Sequence, residues 1–324
     1  MHRRVQTRLW AGVSIALVAA LAACGSDSNT PAASPSPVVT LDATPIPIPS
    51  DAPSSDAGAN GEANSPFTSG AVPESVAEGY HLVFGDDFDG TALGPDWAFR
   101  NRQPATRLCS ALSEDQIVVR DGSLHLSVAR DESKVPNVTK DCPDGHYLNG
   151  MIGTDDTKAF FHGIFSARIK FHAPQGAHGS FWMQPAAVAN PGDPNDPFDR
   201  GVEIDVIEYF GKGWINGGLS HFIHFQPEQG KRLRAGGYLR TASDALNGGG
   251  LPSDDYHVYS VEWTDKEYIF RVDGKETFRT SRGLSGRPEY FILSLLSSYY
   301  ELPKITDDVL PMTMSVDWVR AWQR

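Results

Sequence analysis

Cysteine is scarce in this chain, with three among 324 residues. That count excludes a small disulfide-dense scaffold and leaves too few thiols for a four-cysteine metal site. No block of lysine or arginine occurs. The 40 acidic and 28 basic residues give a net charge of −12, which argues against nucleic acid as a partner. Long apolar runs are almost missing too. The one from Leu9 to Ala23 is short for a membrane span, follows Arg3, Arg4 and Arg8, and ends in small residues, which is the pattern of an export signal.

Leu21-Ala22-Ala23-Cys24 closes that run and resembles a bacterial lipobox, so residues 1–24 read as a lipoprotein signal peptide. A lipid on Cys24 would anchor the mature protein to the membrane through acyl chains, facing the extracytoplasmic side. Residues 25–75 are rich in Pro, Ser, Ala, Asp and Thr and contain no Lys or Arg. They lack the apolar content to form a core and read as a disordered tether. Residues 76–324 then form one folded domain, expected as a monomer. A domain of that size buries roughly three quarters of its extended surface. With Cys24 spent on lipid, Cys109 and Cys142 remain as an even pair in an oxidising setting, and a bridge between them is expected. It would close a loop of about 32 residues, worth about 3–4 kcal/mol on the chain-entropy model.

Strand signals recur through the domain, and little looks helical. Leu124, Leu126 and Val128 alternate with Ser123, His125 and Ser127; Phe165, Ala167, Ile169 and Phe171 alternate with Ser166, Arg168 and Lys170. Asp273-Gly274 between two short β-rich runs is a strong hairpin signal. Tyr290–Leu296 is nearly continuously apolar, as a strand between two layers should be. Many short strands with Gly/Pro turns argue for an all-β sandwich.

The segment Gly201-Val202-Glu203-Ile204-Asp205-Val206-Ile207-Glu208-Tyr209-Phe210 carries the chemistry. On a strand Glu203 and Asp205 share one face, while Val202, Ile204 and Val206 take the other. Five residues separate Glu208 from Glu203, so a regular strand would turn it away. One extra residue near Val206-Ile207, a β-bulge, would return it. Solvated strand edges produce similar strings. Two carboxyl groups flanking a scissile bond are nevertheless what glycoside cleavage requires, about 5–5.5 Å apart if the mechanism retains configuration. Spacing alone leaves open which Glu is nucleophile and which is acid. A neutral polysaccharide suits the acidic chain better than a polyanionic one.

From about Tyr80 to Gln323 the sequence resembles glycoside hydrolase family 16, the laminarinase-type branch with an E-I-D-x-x-E strand. Val83-Phe84-Gly85-Asp86-Asp87-Phe88-Asp89-Gly90, Gly150-Met151-Ile152-Gly153-Thr154, Phe181-Trp182-Met183, Tyr259-Ser260-Val261-Glu262-Trp263-Thr264 and Met314-Ser315-Val316-Asp317-Trp318-Val319-Arg320 follow the family's order. The resemblance implies a β-jelly roll of two curved antiparallel sheets with a concave substrate cleft. It implies Glu203 as nucleophile, Glu208 as acid/base, and Asp205 hydrogen-bonding the nucleophile. Trp182, Trp263 and Trp214 are the candidates for stacking on sugar faces. His221 falls where the family often has a cleft histidine, and a structural role is expected for His224. The family's G-x-W-P-A-x-W-M reads Ala177-His178-Gly179-Ser180-Phe181-Trp182-Met183, so His178 replaces a sugar-platform Trp and touches substrate choice. Asp317 matches a structural-calcium position, while catalysis would require no cofactor. The expected activity is retaining, endo-acting hydrolysis of a β-1,3 or mixed β-1,3/1,4 glucan. An envelope transglycosylase and a non-catalytic carbohydrate-binding protein are the alternatives; retention of both Glu203 and Glu208 speaks against the last.

Overall fold

The computed structural model describes residues 79–324 apart from 103–108, 188–191, 194–195, 229–230, 240–241 and 299. The expected signal peptide, Cys24 and the tether lie outside the described residues. Among the described residues sixteen strands form. The first eight are β1 (His81–Asp86), β2 (Ala98–Phe99), β3 (Ser110–Leu112), β4 (Ile117–Arg120), β5 (Ser123–Arg130), β6 (Tyr147–Gly153), β7 (Gly163–Lys170) and β8 (His178–Pro185). They are followed by β9 (Glu203–Tyr209), β10 (Leu219–Glu228), β11 (Lys231–Tyr238), β12 (His257–Trp263), β13 (Tyr268–Val272), β14 (Lys275–Thr280), β15 (Glu289–Leu296) and β16 (Met312–Gln323). Among the described residues helix is confined to two four-residue stretches, Pro197–Arg200 and Ala242–Ala245, and a few 3₁₀ turns.

The main strand path runs β11-β10-β9-β8-β15-β6-β5-β16-β7-β12-β13-β14, antiparallel throughout, while β3 lies parallel to β6 off that path. β6 belongs to both layers. Its Gly150–Gly153 half pairs with β15 and its Tyr147–Asn149 half with β5, so the sheet folds over along this strand. The result is a curved jelly roll. Phe291 of β15 packs against Phe165 of β7 at 5.6 Å and against Phe84 and Phe181 at 5.7 and 5.4 Å, locking one layer on the other. Edge-to-face geometry of this kind adds to the area these rings bury.

Local sequence accounts for these elements. The expected alternation holds in β5 and β7, where Leu124, Leu126, Val128, Phe165, Ala167 and Ile169 are fully buried. Asp273 and Gly274 both adopt positive φ, 48° and 82°, as a two-residue type I′ hairpin needs. Cys109 and Cys142 are joined by a disulfide.

One expectation is corrected by the layer opposite the cleft. Trp263 is fully buried on β12, ringed by Phe161, Phe165 and Tyr268, and is a core residue rather than a sugar platform. The β12 register pairs it with Gly163 of β7, and its side chain belongs to the main hydrophobic core. Asp317 on β16 pairs with the Arg168 guanidinium at 2.7 Å. Asp317 belongs to no group of three or more side-chain ligands among the described residues.

Candidate active site

β9 departs from regular pairing on both sides. On β8, Ser180 faces Glu208 and Trp182 faces Asp205; on β10, Ser220 faces Glu208 and Phe222 faces Asp205. Three residue steps on β9 therefore match two on each neighbour, and Val206 and Ile207 share the surplus as a bulge. Both are fully buried, so the extra residue is absorbed by the core. Glu203, Asp205 and Glu208 consequently line one cleft of about 420 Å³.

Three rows of side chains cross the sheet there. His224 of β10 lies opposite Glu203. Phe222, Asp205, Trp182 and Ile292 form the second row. Ser220, Glu208, Ser180 and Ser294 form the third, so Glu208 stands among the smallest polar side chains available. Small flanks leave room for a sugar beside this carboxyl group.

The three carboxyl groups have different surroundings. Both oxygens of Glu203 accept hydrogen bonds, Oε1 from Arg232 Nη2 at 2.8 Å and Oε2 from Gln184 Nε2 at 3.1 Å. A charge-assisted donor together with an amide N–H suits a carboxylate anion. Glu208 is half-buried and, among the described residues, its carboxyl group meets the Ser220 hydroxyl alone, at 3.4 Å. Burial first, then the neighbouring Asp205, pushes its carboxyl up to about 8. Asp205 is buried, and burial together with the Glu203 charge holds it well above the usual carboxylate range.

The expected hydrogen bond from Asp205 to Glu203 gives way to a different contact. Asp205 Oδ2 lies 3.3 Å from His224 Nε2. His224 thus lies on the cleft face of the sheet, where it lines the hollow that adjoins Glu203, with burial lowering its imidazole, and the two expected histidine positions are exchanged. His221 is fully buried on the core side, with Nδ1 2.5 Å from the Val206 carbonyl and Nε2 2.8 Å from Thr277 Oγ1. Strand parity explains the exchange: once Ser220 faces Glu208, Phe222 and His224 follow it into the cleft and His221 cannot. One polar atom each from Glu203, Asp205 and His224 lies within 4.8 Å of the others. Because Arg232 and Gln184 already occupy both Glu203 oxygens, the group reads as a hydrogen-bonded acid cluster rather than a metal centre.

Trp182 lines the cleft with its Nε1 donating to Ser294 Oγ at 3.1 Å, and His178 lines it with Nδ1 2.6 Å from Glu301 Oε1. Trp214 lies beyond the lining. It stacks on Phe210 at 5.1 Å, and Phe210 stacks in turn on His178 at 5.2 Å, extending the wall. Gln184, Arg232 and Arg100 also reach the cleft, and none was singled out by the sequence. Trp182-Met183-Gln184 offered one signal, since strand alternation puts Gln184 on the Trp182 face; the two arginines offered none.

The cleft of this all-β fold thus holds one carboxyl group gripped by two donors, Glu203, beside two that burial raises, Asp205 and Glu208. The family model for "Glycosyl hydrolases family 16" matches residues 107–318, and the chain belongs to that family. Among characterised relatives it is 25% identical over 284 residues to glucan endo-1,3-beta-glucosidase A1 of Niallia circulans, covering 78% of this chain and 39% of that protein. It is 24% identical over 255 residues to keratan-sulfate endo-1,4-beta-galactosidase of Sphingobacterium multivorum, covering 75% of this chain and 55% of that one. The chain thus spans about two fifths to about half the length of these relatives. In fold it matches the laminarinase catalytic domain of Thermotoga maritima MSB8 with a TM-score of 0.59 at 20% identity, over 76% of this chain and 99% of that one.

Proposed function

We propose that the protein is an endo-acting, retaining glycoside hydrolase of β-1,3 or mixed β-1,3/1,4 glucan. The observation that carries this reading is the contrast across the bulge: Glu203 is held by Arg232 and Gln184, while the Glu208 carboxyl is pushed up to about 8. In the first step a Glu203 oxygen attacks the anomeric carbon as the glycosidic C–O bond breaks, and the departing oxygen takes the Glu208 proton. In the second, Glu208, now a carboxylate, takes a proton from water as that water attacks the same carbon and releases Glu203. Two inversions return the β configuration. The reaction needs two carboxyl groups and water, and no cofactor. Trp182 supplies an apolar face for a pyranose ring, while His178 and Trp214 shape the subsite beyond it. The name of the Niallia circulans relative supports the β-1,3-glucan assignment.

Product analysis tests it. Laminarin, mixed-linkage glucan, xyloglucan, agarose and keratan sulfate would be digested in parallel and the oligosaccharides sized. Internal cleavage of laminarin or mixed-linkage glucan is expected; products from agarose or keratan sulfate alone would overturn the glucan reading. The same proposal has the enzyme work as a monomer on the extracytoplasmic face, tethered through a lipid on Cys24. Cys24→Ser should release it from the membrane fraction, and a variant that stays bound and normally processed would remove the anchor.

A further inference from the structure

Arg100 is a buried cation beside the acid cluster, 7% exposed, yet its side chain meets no carboxylate among the described residues. Its guanidinium reaches Met151 Sδ at 3.8 Å, Gln184 Oε1 at 2.7 Å and the Tyr290 hydroxyl at 2.9 Å, all neutral groups. It also lies 5.6 and 5.7 Å from the ring centroids of Trp182 and Tyr290. Burying an arginine without an anionic partner is costly, so the site must gain from its charge.

The gain lies one residue further on. Gln184 Oε1 accepts from Arg100 and, at 3.1 Å, from the Tyr290 hydroxyl. An amide whose oxygen is fixed by two donors can only point its NH₂ the other way. That NH₂ donates to Glu203 Oε2. Without Arg100 the amide could flip and present its oxygen to the carboxylate, replacing attraction with repulsion.

We propose that Arg100 is a positioning residue for catalysis: it fixes the Gln184 amide and, through it, orients and favours the Glu203 carboxylate as nucleophile. The short strand β2 delivers it, and the Arg100 N–H caps that pairing by donating to the Met151 carbonyl at 3.1 Å. Arg232 holds the other Glu203 oxygen from the opposite side but is 58% exposed. The dry hold on the nucleophile is therefore the one from Arg100. Around Glu203 the titratable and charged groups include Asp205 and Glu208 on β9, His224 on β10, Arg232 on β11, the buried Glu289 on β15 and Arg100 behind Gln184. This inference rests on the reading of Glu203 as nucleophile.

A slow-release substrate separates the two claims. A 2-deoxy-2-fluoro β-glucosyl oligosaccharide with a dinitrophenyl leaving group needs no proton on the departing oxygen, so its labelling rate reports the nucleophile alone. Peptide mass spectrometry locates the label, and the rate is followed against pH in wild type, Arg100→Met, Gln184→Leu and the double variant. Label on Glu203 is expected, with the midpoint of the rise raised by about one pH unit in each single variant, or about tenfold slower labelling below it. The double variant should shift no further than Gln184→Leu alone, because one relay has been cut twice. Gln184→Leu carries the test if Arg100→Met fails to fold. Label on Glu203 with unmoved midpoints would overturn the relay alone. Label on another carboxylate would overturn the nucleophile reading and the relay with it.

Discussion

Asp205 and Glu208 are three residues apart on their own strand but face residues only two apart on both neighbours, Trp182 and Ser180 on one side, Phe222 and Ser220 on the other. The bulge at Val206 and Ile207 reconciles two demands that a regular strand sets against each other. The apolar face stays continuous, and three carboxyl groups remain on the cleft face.

Deleting Ile207 should restore regular pairing, with Glu208 still opposite Ser180 and Ser220 on the cleft face but without the local shift that the bulge gives its backbone. Activity on natural glucan should fall by about 10²-fold, the cost of misplacing a catalytic group by about 1 Å, and Tm should fall as well, because a fully buried isoleucine is lost. Steady-state kinetics with thermal unfolding checks this; near-wild-type turnover would show that the bulge does not place the acid.

The raised Glu208 carboxyl sets the alkaline limb of activity. Since the acid must hold its proton, kcat/KM should decline as pH rises through about 8. A substrate whose leaving group needs no protonation should lose that limb. An alkaline limb that persists unchanged with such a substrate would assign it to another group.

The same group couples folding to pH. Between its unfolded value near 4.5 and its folded value of about 8, native Glu208 keeps a proton that the unfolded chain has lost, so stability falls as pH rises across that window. Glu208→Gln should therefore raise Tm by roughly 2–4 °C at pH 8 and by little at pH 4. Calorimetry of both proteins at the two pH values decides it; a difference that shrinks with rising pH would contradict the sign.

Trp182 and Trp263 should separate binding from stability. Trp182→Ala should raise KM about tenfold, from lost stacking on a sugar ring. Trp263→Ala should cost about 3–5 kcal/mol of stability, while KM measured well below its Tm stays unchanged. Exchange of these two effects would return Trp263 to the cleft.

Much of this was legible in the sequence because it is local. Alternation along β5 and β7, the Asp273-Gly274 turn and the need for a bulge between Glu203 and Glu208 all follow from neighbouring residues. The histidine exchange was not, because the face of His221 depends on the register of β10 against a bulge on another strand. Trp263 misled for a related reason: an aromatic on a strand suits a core and a cleft equally, and only the opposing layer decides. The hold on Glu203 was hidden by distance. Arg232 arrives from 29 residues away, and Arg100 reaches Gln184 across 84.

The assignment of Glu203 as nucleophile and Glu208 as acid/base is tested most directly by azide rescue, with the anomeric configuration of each product read by proton NMR. Glu208→Ala, given an activated β-glucosyl oligosaccharide, should form a β-glycosyl azide, because Glu203 still shields one face. Glu203→Ala, given the same β-activated donor, should form the α-glycosyl azide, because azide enters from the vacated side as the β leaving group departs. An α-azide from Glu208→Ala together with a β-azide from Glu203→Ala would reverse the two roles and contradict the account.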